Sequence, residues 1–353
     1  MKNITYISVT VLTILFCVSC KNRNQVTPRV VVYGIDDTTS ISQTVGLVDL
    51  DDDMDLDDDM DTKTTPILKI GIAFGGGGAK AAAEIGVLKV IEESGIKPGF
   101  IAGSSMGAVV GGLYAAGYSA KELDSLLLTE EWLSLFERSE MGVVSSQSRT
   151  VFGLVKGDIF EERLSEALLK KGCKKIGDTK FVTGIAFACT ATNIVTKENI
   201  AEMVLKEEDI NMAKAIRASM TYPAPIVGYS PVSLNGMLLV DGGMLNNLPV
   251  DVIKDMGAEY TIAIDLEKDR KREHIISSGG LLKLGWLGNW LVDQPGNGKR
   301  NRNLDMANIK IQPPLSGYSI LDFSEQIFKE MMDIGEDEAR TYHWKELLEL
   351  NNK

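Results

Sequence analysis

Apolar positions fall into two kinds of run along this chain. Short unbroken stretches at residues 70–74, 99–102, 181–190, 238–240 and 260–265 have the length and composition of buried strands, and residues 309–314 read as a last one. Between them, apolar residues recur at helical spacing over residues 79–94, 108–116, 121–136, 158–171, 210–219 and 250–256. One or two further helices lie within 323–350. Residues 141–156 read as a loop, and Tyr222-Pro223-Ala224-Pro225 stops the helix before it. Strands alternating with helices predict an α/β fold with a mostly parallel central sheet and helices on both faces. The pattern runs over residues 66–353, a length suited to one domain with its own core.

Two glycine-rich turns punctuate the start of this pattern. The first strand runs into Gly75-Gly76-Gly77-Gly78 and then a helix; the second runs into Gly103-Ser104-Ser105-Met106-Gly107 and then another helix. Strand, glycine-flanked turn with a central serine, then helix is the context of a G-x-S-x-G nucleophile elbow. Gly103 and Gly107 let strand and helix pack closely while Ser105 occupies a strained backbone with its hydroxyl exposed. An acyl carbonyl under attack becomes an oxyanion that needs preorganised N–H donors. The amides of Gly76, Gly77 and Gly78, opening a helix, suit that task, with Met106 as a further donor. A right-handed crossover places the two strands parallel, so both turns share one crevice. Residues 76–81 also fit a degenerate dinucleotide fingerprint, but the second strand ends in Ala102-Gly103-Ser104 rather than the acidic residue that would hold a ribose. No Gly-Lys-Ser/Thr closes a P-loop.

The segment GIAFGGGGAKAAAEIGVLKVIEE followed by GSSMG resembles the patatin-like phospholipases, lipid acyl hydrolases with a Ser/Asp dyad. The resemblance implies that Ser105 is the nucleophile, that Gly76, Gly77 and Gly78 form the oxyanion hole with Lys80 as a supporting residue of the motif, and that Asp241-Gly242-Gly243 in LLVDGGMLNNLPV supplies the base. Residues 215–226, AIRASMTYPAPI, match the family's segment before that aspartate. Ala81 stands where the family usually has Gly, and Glu84 where it often has His. The two histidines agree with a dyad: His274 follows a charged run and His343 sits in a polar helix, neither at a strand end. Asp241 is then the base, and burial beside two glycines would raise its pKa towards a useful value. The implied activity is hydrolysis of fatty acyl esters through an acyl-enzyme, with neither cofactor nor metal. A transacylase using the same dyad and a non-catalytic lipid-binding lipoprotein are the alternatives.

The first residues change the picture of where such chemistry would occur. Lys2, an apolar run over 4–18 and Ser19-Cys20 read as an export signal (residues 1–19) that resembles the bacterial lipoprotein type, a plain signal peptide or a buried N-terminal helix being the alternatives. The run is shorter than the roughly 20 apolar residues of a membrane span. Cys20 would carry the lipid, anchoring the protein in the cell envelope beside its lipid substrate. Residues 20–65 read as a disordered acidic linker. Nine aspartates lie in 49–61, and without them the net charge of −12 falls to about −3. An EF-hand is excluded there, because the Gly turn and terminal Glu are absent. Basic residues form no stripe beyond Lys299-Arg300 and 268–272, which argues against nucleic acid. Cys173 and Cys189 lie in or near core elements and read as buried thiols. Residues 281–303, with Trp286 and Trp290 before a Gly/Asn/Lys/Arg-rich loop, fit either an interfacial segment or a core-packed helix followed by a surface loop. No residue pattern specifies an oligomeric state.

Overall fold

The computed structural model describes residues 69–137, 157–195, 200–222, 230–268 and 296–351. The export signal, Cys20, the acidic linker, the loop at 141–156, His274 and the Trp-containing residues 281–291 lie outside these. In chain order the described elements are β1 (Ile70–Phe74), α1 (Ala82–Glu93), β2 (Phe100–Gly103), α2 (Met106–Ala115), α3 (Ala120–Leu127), α4 (Glu130–Glu137) and α5 (Asp158–Lys170). There follow α6 (Asp178–Val182), β3 (Ala186–Asn193), β4 (Ala201–Leu205), α7 (Met212–Met220), β5 (Val232–Leu234), β6 (Met237–Asp241) and α8 (Val250–Asp255). The last are β7 (Tyr260–Ile264), α9 (Gly296–Met306), β8 (Ile309–Ile311), α10 (Glu325–Arg340) and α11 (Trp344–Asn351).

The eight strands form one sheet in the order β5-β6-β3-β2-β1-β7-β8, with β4 also paired to β3. From β3 to β8 the pairing is parallel, whereas β4 and β6 join β3, and β5 joins β6, in antiparallel fashion. Strand β1 lies between two parallel neighbours and all its residues are buried, which explains an unbroken IGIAF. Its alternation is one of size. Ile70, Ile72 and Phe74 point into the main core with Ile101, Phe187, Ile262 and Ile264. On the other face, Ala73 stands in register with Ala102 and Ala263, and Ala102 with Ala188. This row of alanines lets Val250, Val252 and Ile253 of α8 pack directly on the sheet. On the main-core side, α1 and α10 cross at backbone contact: a Cβ on Gly86 would collide with the Met332 carbonyl oxygen, and one on Gly335 with that of Ala83.

Several elements differ from their sequence expectations for physical reasons. Residues 121–136 form two helices, α3 and α4, and a capping box of Ser119 and Glu122 starts the first. The strand expected from residue 181 begins at Ala186 instead. Phe181, 88% exposed, belongs to the short α6, and Gly184 at φ 79° turns the chain into β3. Residues 296–303, expected as loop, lie in α9, whose GNGKRNRN sequence is a poor helix former. Tertiary contacts override that preference: Arg300 forks onto buried Asp265, Lys299 pairs with Asp251 (2.8 Å) and Glu202, and Asn303 Nδ2 donates to Leu248 O at 2.7 Å. Cys173 and Cys189 are buried free thiols.

Candidate active site

The site begins where β1 leaves the sheet. Gly75 N–H extends the ladder by donating to Ile264 O (3.0 Å), and Gly76 N–H donates to Asn247 O (3.0 Å). The chain then turns through Gly78 at φ 56°, and Ala79 N–H donates to Ile320 O at 2.9 Å. A side chain on Gly78 would strike that same carbonyl. A single 3-10 turn, Gly78–Ala81, leads into α1.

One residue across the sheet, Gly103 pairs with Phe74, so β2 delivers its own turn to the same end. Ser105 sits at φ 51°, ψ −129°, a backbone region costing a non-glycine residue about 1–3 kcal/mol. Its surroundings hold it there. The Ser105 N–H donates to Ser219 Oγ on α7 at 3.0 Å, and Ser105 O accepts the Ala108 N–H that opens α2. Close approach needs both flanking glycines, since a Cβ on Gly103 would lie 2.5 Å from Ala108 Cα and one on Gly107 2.6 Å from Gly75 O. A Cβ on Gly76 would lie 3.0 Å from that of Ser105, so the glycine loop borders the serine directly.

Asp241 arrives by a different route. On one edge of β3, β4 covers residues 189–193; on the other edge, β2 pairs as far as Cys189 and β6 takes over at Ala191. Strands β2 and β6 therefore run head to head along one edge and end two register positions apart, Gly103 opposite Cys189 and Asp241 opposite Ala191. The Asp241 backbone is fixed from both sides, its N–H donating to Thr221 O (2.8 Å) and its carbonyl accepting from Thr192 Oγ1 (2.9 Å). Its Oδ1 accepts the Gly243 N–H at 2.7 Å, and its Oδ2 accepts the Ser105 hydroxyl at 2.7 Å. Gly242 and Gly243 have no room for a side chain, the first against Thr190 and the second against Asn247. Burial pushes the Asp241 carboxyl from 3.8 up to about 6; the Ser105 and Gly243 hydrogen bonds oppose the shift, and the charge of Glu267 adds to it.

Of the amides expected as oxyanion donors, that of Gly76 is committed to Asn247 O and is corrected out of the set. No acceptor among the described residues takes the N–H of Gly77, Gly78 or Met106. Gly77 and Gly78 are partly exposed, as is Ser105, whereas Gly76 is buried. Met106 opens α2, so its amide is at the positive end of a helix dipole. Lys80 lies in the 3-10 turn, and Glu84 is fully buried in α1, its carboxyl oxygens without a hydrogen-bond partner among the described residues. Desolvation by burial holds the Glu84 carboxyl well above the usual carboxylate range. His343 is exposed between α10 and α11. Among the described residues no cluster of His, Cys, Asp and Glu could hold a metal ion, and no helix is long and apolar enough to cross a membrane.

Sequence reasoning passed over two residues. Ser219 lies within AIRASMTYPAPI and Asn247 within LLVDGGMLNNLPV, motifs noted for other members. Each acts through a hydrogen bond to the backbone, which leaves no mark in hydrophobic periodicity. The order of the two motifs, with both side chains beside one crevice, is the signal that could have found them.

The arrangement has the parts for acyl transfer: a hydroxyl on a strained turn, a buried carboxylate in contact with it, and, in the adjoining glycine loop and at the start of α2, amides that no acceptor among the described residues takes. Comparison with known proteins finds relatives of this chain. The chain is 26% identical over 300 residues to patatin-like phospholipase domain-containing protein 7 of Mus musculus, covering 77% of this chain and 20% of that protein. It is 28% identical over 296 residues to lysophospholipase NTE1 of Scheffersomyces stipitis, covering 75% of this chain and 17% of that one. Protein YqhO of Bacillus subtilis is 29% identical over 219 residues, covering 57% of this chain and 74% of its own. The chain thus spans about a fifth of the length of the mouse relative. The family model for patatin-like phospholipases matches residues 72–254, more than half of the 353 residues, and includes both Ser105 and Asp241. On that match, and with the sheet and turns that carry its motifs, the chain belongs to the patatin-like phospholipase family.

Proposed function

We propose that the protein is a serine lipid acyl hydrolase of the phospholipase A type, cleaving fatty acyl esters of membrane lipids. Ser105 Oγ attacks the acyl carbonyl carbon while Asp241 Oδ2 takes the hydroxyl proton. The amides of Gly77, Gly78 and Met106 receive the oxyanion. Collapse of the tetrahedral intermediate expels the alcohol, which recovers the proton from Asp241, and leaves an acyl ester on Ser105. Water then attacks that ester with the same carboxylate as base, and the fatty acid departs.

The observation that carries this reading is the 2.7 Å hydrogen bond between Ser105 Oγ and Asp241 Oδ2. A carboxylate raised to about 6 is a better base than an ordinary aspartate and is still ionised at neutral pH. Membership of a phospholipase family and similarity to a protein named a lysophospholipase favour a lipid ester as substrate.

The test is hydrolysis of p-nitrophenyl esters and phospholipid vesicles by wild type, Ser105→Ala and Asp241→Ala. Loss of activity by orders of magnitude in both variants is the expected result. An Asp241→Ala protein that keeps wild-type activity places the base elsewhere. Products formed with an added acceptor alcohol separate hydrolysis from transacylation. We further propose that Cys20 carries a lipid and that residues 20–65 space the catalytic domain, residues 66–353, from the bacterial envelope, the support being the Ser19-Cys20 pattern after an apolar run. Palmitate labelling that persists in Cys20→Ala would overturn the anchor.

A further inference from the structure

Asn247 bonds twice to one residue of the glycine loop. Its carbonyl oxygen accepts the Gly76 N–H at 3.0 Å, and its side-chain Nδ2 donates to Gly76 O at 3.0 Å. Its carboxamide oxygen lies so close to Gly76 and Gly243 that a Cβ on either would collide with it. Asn247 therefore ties the loop after Asp241 to the loop beside Ser105. The second of these bonds has a geometric consequence. Gly76 C=O and Gly77 N–H are the two ends of one planar, trans peptide group and point in opposite directions. Holding the carbonyl on Asn247 therefore aims the Gly77 N–H away from Asn247, and no acceptor among the described residues takes it.

We propose that Asn247 is a positioning residue for acyl transfer, setting the direction of the Gly77 amide as an oxyanion donor by holding the opposite end of its peptide. The proposal rests on the Ser105/Asp241 reading of the site. It assigns the side chain to the oxyanion half of the reaction and not to the base. Without the Nδ2 donor, the 76–77 peptide of a glycine pair is free to rotate, and the amide loses its preorganisation. Asn247→Asp sharpens the point, since it keeps the shape but sets a carboxylate oxygen against the Gly76 carbonyl.

The experiment measures kcat, KM and the pH profile of p-nitrophenyl butyrate hydrolysis for wild type, Asn247→Ala, Asn247→Asp and Ser105→Ala, with a thermal melt for each. A misaimed donor is expected to lower kcat by about tenfold to a hundredfold while KM stays within about threefold. The acid limb of the Asn247→Ala profile, which reports the base, stays where wild type has it; in Asn247→Asp the new carboxylate beside Gly243 moves that limb by its charge alone. Asn247 variants within about threefold of wild-type kcat overturn the proposal and leave the dyad intact. A shifted acid limb in Asn247→Ala also overturns it, because Asn247 would then act on Asp241. Loss of the cooperative melt in both Asn247 variants makes the contact a folding contact and overturns the assignment. Wild-type activity in Ser105→Ala overturns the dyad reading and the role of Asn247 with it.

Discussion

Asp241→Asn is expected to make the protein inactive and more stable, and the gain is expected to depend on pH in a defined sense. Asp241 is 4% exposed and its carboxyl is raised from 3.8 to about 6 by desolvation. Between those values the folded protein binds a proton that the unfolded chain releases, so folding stability falls as pH rises through this window. At about 1.4 kcal/mol per pKa unit, ionising the buried carboxyl costs about 3 kcal/mol above pH 6. Asparagine is neutral at every pH. Its Oδ1 can still accept the Gly243 N–H, but its amide must donate towards Ser105 Oγ and the hydroxyl must turn away. Allowing for that rearrangement, the net gain at about pH 8 is on the order of 2 kcal/mol, or roughly 3 °C in melting temperature for a domain of this size. The assay is thermal or urea unfolding of wild type and variant at about pH 4 and about pH 8. The variant's advantage should be present at the higher pH and largely gone at the lower. An equal advantage at both, or none at the higher pH, would refute the claim that Asp241 is held as a desolvated anion.

The same titration is expected in catalysis: kcat/KM of the wild type should rise with pH through about 6 and then level off, losing about tenfold per unit below that point. Ser219→Ala removes the acceptor of the Ser105 N–H, and kcat should fall by about tenfold with a stability loss of about 1 kcal/mol, read from ester hydrolysis and melting together. Burial raises the folded pKa of Glu84 above its ordinary value of 4.5, so stability is lost as pH rises from that value through the folded pKa. Glu84→Gln should therefore flatten the fall of the melting temperature that sets in as pH rises above about 4.5, and change little below it. Gly335→Ala drives a methyl into the Ala83 carbonyl at the α1–α10 crossing and should cost about 1–3 kcal/mol in urea unfolding.

The parallel part of the sheet was legible because residues 70–74 and 260–265 are unbroken apolar runs, and such runs mark strands covered on both faces. The row of Ala73, Ala102, Ala188 and Ala263 is equally present in the sequence, but its meaning appears only in the register that aligns them. Strand β4, AEMVL, was missed because four of its residues are only partly buried or exposed, and its hydrophobic signal is weak. Phe181 was drawn into the wrong element by its own hydrophobicity; one exposed aromatic among strand-like neighbours carries no directional information. In the site, motifs named Ser105 and Asp241 as candidates, and their side chains lie in hydrogen-bond contact. Their meeting depends on β2 and β6 sharing an edge of β3, a relation between segments 136 residues apart that no local pattern encodes. The direction of a single amide is less legible still, so Gly76 could not be told from Gly77 before the structure showed which one Asn247 takes.

The closure of the glycine loop by distant carbonyls bears on the order of synthesis. A ribosome that has released the chain through Asp241 has delivered both reactive side chains. The loop beside Ser105 still lacks the carbonyls of Asn247, Ile264 and Ile320 that hold Gly76, Gly75 and Ala79. Strand β1 likewise waits for β7 to complete its second edge. Contacts of such long range form late, after the intervening chain has emerged and collapsed. On the proposed mechanism, an emerging polypeptide carries its nucleophile and base well before it can stabilise an oxyanion, and hydrolytic competence arrives only with the residues near 320.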